Sequence, residues 1–376
     1  MIPSAHTAPR IGIFASFSGK GGVERMLLNL AEGFADIGCQ VDLLMIKSSS
    51  LHLETVPQGL NIIQLHANHT WGSLSELAGY LQRVRPEALL AAKDRANQVA
   101  ILARRLSRTS TRLGVRMGTH VSAAIAGKGG IKKVLWYLPI RLLYRQADEI
   151  VAVSEGVKED LMRITGLPPE RITVIANPAV SNRIYTLAAA PIPHPWFNDT
   201  TIPVVLGAGR LTRQKDFPTL VRAFAKVKAV RACRLIILGD GNDREKLLSL
   251  ARELKIDPYI DLPGFVSNPY AYLRRASLFA LSSIWEGSPN VLTEALALGT
   301  PAVATDCRSG PREILKDGAI GRLVPVGDPD ALATAILETL SDPPDETLLK
   351  TAVSEYTVEF SSRCYLNLLL GKTTPK

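Results

Sequence analysis

The 376-residue chain has only four cysteines, Cys39, Cys233, Cys307 and Cys364, and they lie far apart. Such spacing excludes a disulfide-stapled scaffold and a cysteine-held metal, and it points to a reducing cytoplasm. Long apolar runs are missing too: no uncharged stretch approaches the ~20 residues that cross a bilayer. The opening MIPSAHTAPR lacks the basic start and apolar core of a secretory signal. A cytoplasmic protein is expected, at most peripheral on the inner face of the cytoplasmic membrane. Nor is any RNA- or DNA-binding module recognisable, which argues against a nucleic-acid partner. Asp328-Pro-Asp330 is the one stretch that reads like a metal-binding Asp-x-Asp, but it opens a helical segment and is expected to cap it.

A hydrolytic phosphate loop is the next thing absent. The stretch SGKGGVERM, Ser18 to Met26, begins like the loop of partitioning-type ATPases. Such loops close on a lysine for the terminal phosphates and a hydroxyl for magnesium. Here Glu24, Arg25 and Met26 occupy those last positions, so the hydroxyl is gone and a carboxylate stands where a phosphate would be cradled. What remains is a strand, a glycine turn and the start of a helix, whose backbone amides still suit an anion.

What is present describes a two-domain globular protein. The length suggests two domains, and 46% apolar residues with mean hydropathy +0.11 supply an ample core. Charge is uneven. The chain carries a net +9, and residues 101–150 alone hold 10 Lys/Arg against 2 Asp/Glu, which implies an anionic partner. Short β-branched runs alternate with helical patterns through the first half, at Arg10 to Ala15, Val41 to Ile46, Asn61 to Gln64, Val115 to Thr119, Glu149 to Val153 and Ile172 to Ile175. Residues 188–201, AAAPIPHPWFNDTT in essence, are proline-rich and aperiodic and read as a linker. A second alternating series follows. The expected fold class is α/β, with two doubly wound Rossmann-like domains facing across a cleft. An N-terminal domain is expected over 1–187 and a C-terminal domain over 202–355. A C-terminal helix, 356–376, is expected to cross back to the first domain.

The most informative segment is Trp285-Glu-Gly-Ser-Pro-Asn-Val-Leu-Thr-Glu-Ala-Leu-Ala-Leu-Gly-Thr-Pro301. Gly287 breaks a strand, Ser288 suits an N-cap and Pro289 the first helical position, leaving the amides of Asn290 and Val291 for an anion. At about 1.5 Å per residue, Glu294 lies roughly 7–8 Å along the axis from Pro289. A diphosphate at the helix start would have Glu286 near one end and Glu294 near the other, each able to hold hydroxyls. Taken alone, Glu286 reads as a loop carboxylate and Glu294 as a helix surface charge. Arg210 and Lys215, after the strand VVLGAG, are two cations at a sheet edge that can neutralise a diphosphate.

Glu286 to Glu294 matches the Glu-x7-Glu element of glycosyltransferase family 4, the retaining enzymes of two-domain GT-B fold. The resemblance extends over nearly the whole chain. It is carried by the turn at Gly21, Gly22, Val23, Glu24 and Arg25, by VAVSEGVKEDL and VIANPAV, and by GAGRLTRQKDFPTLVRAF, LGDGNDREKL, LPGFV and ALGTPAVATDCRSGPREIL. It implies a metal-independent glycosyltransferase with no cofactor, moving a hexose-type sugar from a nucleoside-diphosphate sugar to a glycan or lipid-linked acceptor. The DCRSGPREIL form resembles bacterial cell-surface polysaccharide and lipopolysaccharide enzymes. By the same resemblance Arg210, Lys215, Asn290 and Val291 hold the diphosphate, Glu294 the ribose and Glu286 the hexose. Gly264, Phe265 and Val266 flank the nucleobase. Gly21, Gly22 and His120 line the reaction centre, with His120 contacting the donor sugar or organising the acceptor. His6, His52, His66, His69 and His194 have no such match and read as structural or exposed. Ser309 stands where the family more often has glycine, which bears on donor identity.

Residues 131–147, IKKVLWYLPIRLLYRQA, mix Lys132, Lys133, Arg141 and Arg145 with Trp136, Tyr137, Leu138, Leu142 and Tyr144. The pattern suits an anionic membrane surface as well as a packed helix pair with solvated bases, and Pro139 argues against one uninterrupted helix. Two other functions fit the same residues: a sugar-nucleotide epimerase or hydrolase, and a catalytically silent glycosyltransferase-like subunit.

Overall fold

The computed structural model describes residues 8–16, 22–46 and 59–371. The chain divides into two compact units, the first formed by 1–178 with 358–376 and the second by 179–357.

The first unit holds a seven-stranded sheet of β1 (Arg10–Ser16), β2 (Gln40–Ile46), β3 (Leu60–Leu65), β4 (Ala88–Ala92), β5 (Arg112–Met117), β6 (Glu149–Ala152) and β7 (Ile172–Val174). The strands are parallel, in the order β3-β2-β1-β4-β5-β6-β7. Helices cover both faces, so the central strands must be apolar on both sides. Ile11, Ile13, Phe14 and Ala15 are accordingly all fully buried. The helix Gly22–Asp36 follows β1 and turns Met26, Leu27, Leu30, Ala31 and Phe34 into the core. Against it packs the C-terminal helix Val358–Leu369, bringing Tyr365, Leu366 and Leu369. A Cβ at Gly33 would collide with the Ser362 hydroxyl, so glycine there permits the two helices to meet.

The second unit holds β8 (Val204–Ala208), β9 (Arg234–Leu238), β10 (Ile260–Gly264), β11 (Leu278–Leu281), β12 (Ala302–Thr305) and β13 (Arg322–Val324). All are parallel, in the order β10-β9-β8-β11-β12-β13. The proline-rich text of 188–201 lies in this unit and is pinned to it. His194 caps the short turn Pro195–Phe197, its Nε2 lies 2.9 Å from Asp261, and its ring packs edge-on against Trp196, Phe197 and Tyr272.

In each sheet the strand order reverses beside the first strand, between β1 and β4 and between β8 and β11. Helices on either side of such a point diverge, which opens a crevice outside the strands' carboxyl ends where ligands bind in doubly wound folds.

Two corrections concern helices. The helix Gly130–Leu143 runs through Pro139 without a break. Proline removes only the bond to the Leu135 carbonyl, and Leu135 is 66% exposed, so water can take that carbonyl. The second is that the cap before the helix Asn290–Ala297 is Pro289, in extended conformation, with Ser288 one residue outside. Gly310 lies so close that a Cβ there would stand 2.6 Å from Pro289 Cδ and 2.9 Å from the Gly287 carbonyl, which holds the entry extended as far as Pro289.

Candidate functional site

The loops after the carboxyl ends of β8 and β11 carry a polar cluster. After β8 the chain turns at Gly209 and runs to Gln214 and Lys215; after β11 it runs through Ser282 and Ser283 to Glu286. Lys215 donates to Glu286 Oε1 at 2.6 Å, and Ser283 Oγ donates to the same oxygen at 2.6 Å. Glu286 Oε2 has a weaker contact, Gln214 Nε2 at 3.5 Å, and Gln214 also donates to the Trp285 carbonyl at 3.0 Å. The two loops are further laced by Ser282 Oγ to the Lys215 carbonyl at 2.7 Å and by Ile284 N–H to the Gln214 carbonyl at 2.8 Å. One carboxylate oxygen is therefore saturated and rigidly held, while the other keeps most of its acceptor capacity for a ligand hydroxyl.

A third loop, after β12, completes the hold on Glu286. Ser309, 3% exposed, donates its hydroxyl to the Glu286 carbonyl at 2.7 Å. Glycine at this position could not make that bond. Cys307 lies in the same loop; burial, and then the charge of Glu286, push its thiol up to about 12. It is a packed, protonated group there, with no nucleophilic role.

The remaining donor-side residues arrange as follows. Arg210 is exposed and its guanidinium has no hydrogen-bond or ion-pair partner among the described residues, so it is not tied to the Lys215–Glu286 pair. Gly287, Ser288 and Pro289 lead into the helix, and Asn290 and Val291 are its first two residues. Glu294, one turn on, is 2% exposed, so it is a buried carboxylate on this helix and no surface charge. Gly264 closes β10 at φ +88, and its carbonyl accepts from Gly239 N–H at 2.8 Å. Phe265 N–H donates to Asp240 Oδ2 at 3.1 Å, which commits that amide within the protein. Val266 is half-buried beside it. Asp328 caps the helix Pro329–Ser341, its Oδ1 accepting from Asp330 and Ala331 N–H at 3.0 and 2.9 Å.

In the first unit, His120 follows β5 and is 4% exposed. Its Nδ1 accepts from Ala123 N–H at 3.2 Å and stands 3.3 Å from Asp160 Oδ2. Asp160, 1% exposed, also accepts from Ser122 N–H at 3.0 Å. A ring nitrogen cannot accept from one group and donate to another at once, so Ala123 and Asp160 select opposite tautomers. With Asp160 as acceptor the proton sits on Nδ1 and Nε2 becomes an acceptor. Gly22 opens the helix after β1, exposed. Gly21, His6 and His52 lie outside the described residues. His66 is exposed beside Glu76 at 3.2 Å, and His69 caps the turn Thr70–Ser73.

Gln214, Ser283, Asp240 and Asp160 escaped sequence reasoning. Three of them stand inside quoted motifs: Gln214 in GAGRLTRQKDF, Asp240 in LGDGNDREKL and Asp160 in VAVSEGVKEDL. The motif fixed the address of each, while its bonding partner comes from a distant loop that no spacing reveals.

Comparison with known proteins agrees with this architecture. Residues 192–356 match the family model "Glycosyl transferases group 1", and residues 21–178 match "Glycosyl transferase 4-like domain". The chain is 33% identical over 249 residues to an N-acetylgalactosamine-N,N'-diacetylbacillosaminyl-diphospho-undecaprenol 4-alpha-N-acetylgalactosaminyltransferase of Campylobacter jejuni, covering 66% of each chain. It is 33% identical over 241 residues to the lipopolysaccharide core biosynthesis glycosyltransferase LpsE of Rhizobium meliloti, covering 62% of this chain and 68% of that one. The chain thus spans about two thirds of the length of these relatives. Among solved structures, Anabaena HepE in complex with UDP superposes with TM-score 0.77 over 96% of this chain and 100% of that one, at 19% identity.

Proposed function

The chain belongs to the group 1 glycosyltransferases with a 4-like N-terminal half, and from that membership we propose that it is a retaining, metal-independent glycosyltransferase of bacterial lipopolysaccharide or polysaccharide synthesis. Its donor is a nucleoside-diphosphate sugar of hexose type and its acceptor a glycan or lipid-linked glycan. The observation that carries the reading is the Lys215–Glu286 pair at the reversal of strand order in the second unit, beside the start of the helix Asn290–Ala297. A lysine in that place can hold a phosphate oxygen with one N–H while keeping Glu286 with another.

In this mechanism the bond from the sugar's anomeric carbon to the phosphate oxygen breaks, and a bond to the acceptor oxygen forms on the same face. The departing phosphate oxygen takes the acceptor's proton. Lys215, Arg210 and the helix start stabilise the charge that grows on the diphosphate. Glu286 Oε2 accepts from sugar hydroxyls, and Glu294 from the ribose. From the first unit, Gly22 is assigned to the donor and His120 to the donor sugar or the acceptor, with Asp160 setting the His120 tautomer. A thermal-shift panel of UDP, GDP and ADP with their sugar conjugates, followed by transfer assays with the best donor, tests the reading. Acceptor-dependent release of the nucleotide, an axial-to-axial NMR outcome at the anomeric carbon and activity in EDTA are expected. Donor consumption that needs no acceptor would instead favour an epimerase or hydrolase.

A second proposal concerns where the acceptor is met. In the helix Gly130–Leu143, Tyr137 and Ile140 face the core, and Ile131, Val134, Leu135, Leu138 and Leu142 are between 47 and 80% exposed. At helical spacing these five form one stripe about 100° wide. Lys132 and Arg141 flank it on opposite sides, and Lys128 stacks over Trp136 at 4.2 Å. We propose that this face rests on an anionic membrane surface. Vesicle sedimentation decides it: equal binding to neutral and anionic vesicles would end the proposal.

A further inference from the structure

Beyond the residues assigned above, one side chain at the strand-order reversal of the first unit stands out. Lys93 alone joins β4 to the helix Asp94–Ser107, and it takes φ +79 and ψ 140 to do so. That backbone conformation belongs almost entirely to glycine, because a Cβ there is strained. The chain nonetheless carries a lysine at the place where glycine would cost least, which means the side chain is needed.

Its contacts show for what. Lys93 Nζ donates to the Ser16 carbonyl at 2.5 Å and to Glu24 Oε1 at 3.2 Å. Ser16 is the last residue of β1, and Glu24, 3% exposed, lies in the first turn of the helix Gly22–Asp36. One ammonium therefore ties together the two ends of the glycine turn. The carboxylate that stands at the last glycine position of the phosphate-loop pattern in SGKGGVERM is met by a lysine that follows the neighbouring strand β4. Lys93 is one-third exposed, and its third N–H has no partner among the described residues.

We propose that Lys93 is a positioning residue for the transfer reaction: its strained backbone places the ammonium where it fixes the helix start at Gly22 relative to the end of β1. This rests on the glycosyltransferase reading, since it gives the glycine turn its task, but the structural half of the claim can be measured without turnover. Three variants are compared: Lys93→Gly, Lys93→Arg, and Lys93→Gly combined with Glu24→Gln. The double variant relieves the strain and removes the carboxylate charge together with the ammonium, so it is expected to stay folded at the assay temperature.

Hydrogen–deuterium exchange is expected to quicken at least tenfold at the amides of residues 22–24 in the double variant. Transfer kcat is expected to fall at least tenfold, with the Kd for UDP unchanged and with Lys93→Arg retaining more rate than Lys93→Gly. Unchanged exchange overturns the proposal, as does turnover within twofold of wild type. A loss of turnover matched by equal loss of UDP binding overturns it too, by assigning the pair to the fold alone. If the wild-type protein transfers no sugar, the functional reading fails, and the exchange result still decides whether Lys93 holds the turn.

Discussion

The Lys215–Glu286 pair gives the most searching test of the site. Both side chains are largely buried, at 16% and 8% exposure, and the charged atoms stand 2.6 Å apart. With an effective dielectric constant of about 20, their attraction is about 6 kcal/mol before desolvation of the two charges is subtracted. Lys215→Met is the informative change, because the lysine stem lies over Gly209 and methionine keeps most of that packing while deleting the charge. The Glu286 carboxylate is then left buried with only Ser283 and the distant Gln214. Loss of one partner of a buried pair costs about 3–5 kcal/mol, so about 3 kcal/mol is expected here, where Ser283 still donates. For a unit of this size each kcal/mol moves the melting temperature by about 2–4 °C, giving a drop of about 6–12 °C.

Calorimetry would resolve that transition, expected to be the one that rises when the nucleoside diphosphate selected by the thermal-shift panel is added. Glu286→Gln alone removes the charge that demanded the lysine. The double variant is then expected to recover about 2 kcal/mol relative to the sum of the single changes. In transfer assays Lys215→Met is expected to lose about a hundredfold or more in kcat, the scale of removing one donor from a developing oxyanion. Additivity of the two stability changes within about 0.5 kcal/mol would refute the reasoning, because it would mean the charges do not depend on each other.

Three further outcomes are expected. Ser309→Ala deletes one hydrogen bond to the Glu286 carbonyl and should cost about 1–2 kcal/mol in urea unfolding, with kcat falling about tenfold and affinity held for the nucleoside diphosphate selected by the thermal-shift panel. Asp160→Asn should leave the fold in place but lower kcat about tenfold and alter its pH profile, since asparagine's NH2 can donate to Nδ1 and favour the opposite His120 tautomer; an unchanged profile would count against it. At alkaline pH, burial holds the Cys233 thiol up at about 11 and the Cys307 thiol at about 12, against 9.0 for the unfolded chain. Below pH 9 the two thiols leave stability unchanged; above it the unfolded chain ionises first, so stability should fall by up to about 1.4 kcal/mol per pH unit for each thiol. Urea midpoints measured from pH 8 to 10.5 should show this slope flattening in a variant with alanine at both cysteines.

Much of the architecture was legible in the chain because parallel strands buried on both faces write continuous apolar runs, as in Ile11 to Ala15 or Leu235 to Leu238. Capping at Asp328 was legible for a local reason: the acceptor and the amides it serves lie within three residues. The hold on Glu286 was not, since its partners arrive from Lys215, Ser283 and Ser309, on three separate loops. Pro139 misled because the rule about proline concerns a lost hydrogen bond, and exposure at Leu135 makes that loss cheap. The strain at Lys93 could not have been read at all, because nothing in a lysine announces a glycine-like backbone.

Placed side by side, the two units solve one physical problem in opposite senses. Each sheet reverses its strand order beside its first strand, and each reversal carries a lysine–glutamate pair with the carboxylate nearly buried. In the second unit the lysine follows the first strand, β8, and the glutamate follows its neighbour β11; in the first unit the glutamate follows β1 and the lysine follows β4. A crevice that must accept a charged ligand needs a cation, and a lone cation in a partly buried crevice is costly before the ligand comes. Pairing with glutamate offsets that charge. The pairs differ in what a ligand can do to them. Lys215 lies over Gly209, and its carboxylate partner also accepts from Ser283, so Glu286 keeps a donor if the ammonium turns toward a phosphate as the proposed function requires. Lys93 gives a second N–H to the Ser16 carbonyl, and releasing it would untie the end of β1 from the first turn of the helix Gly22–Asp36. On the proposed function, the pair in the second unit is the one expected to respond to a ligand, and the pair in the first unit the one expected to stay closed; donor titration of Lys215→Met and Lys93→Gly separates them, with donor affinity lost in the first and held in the second.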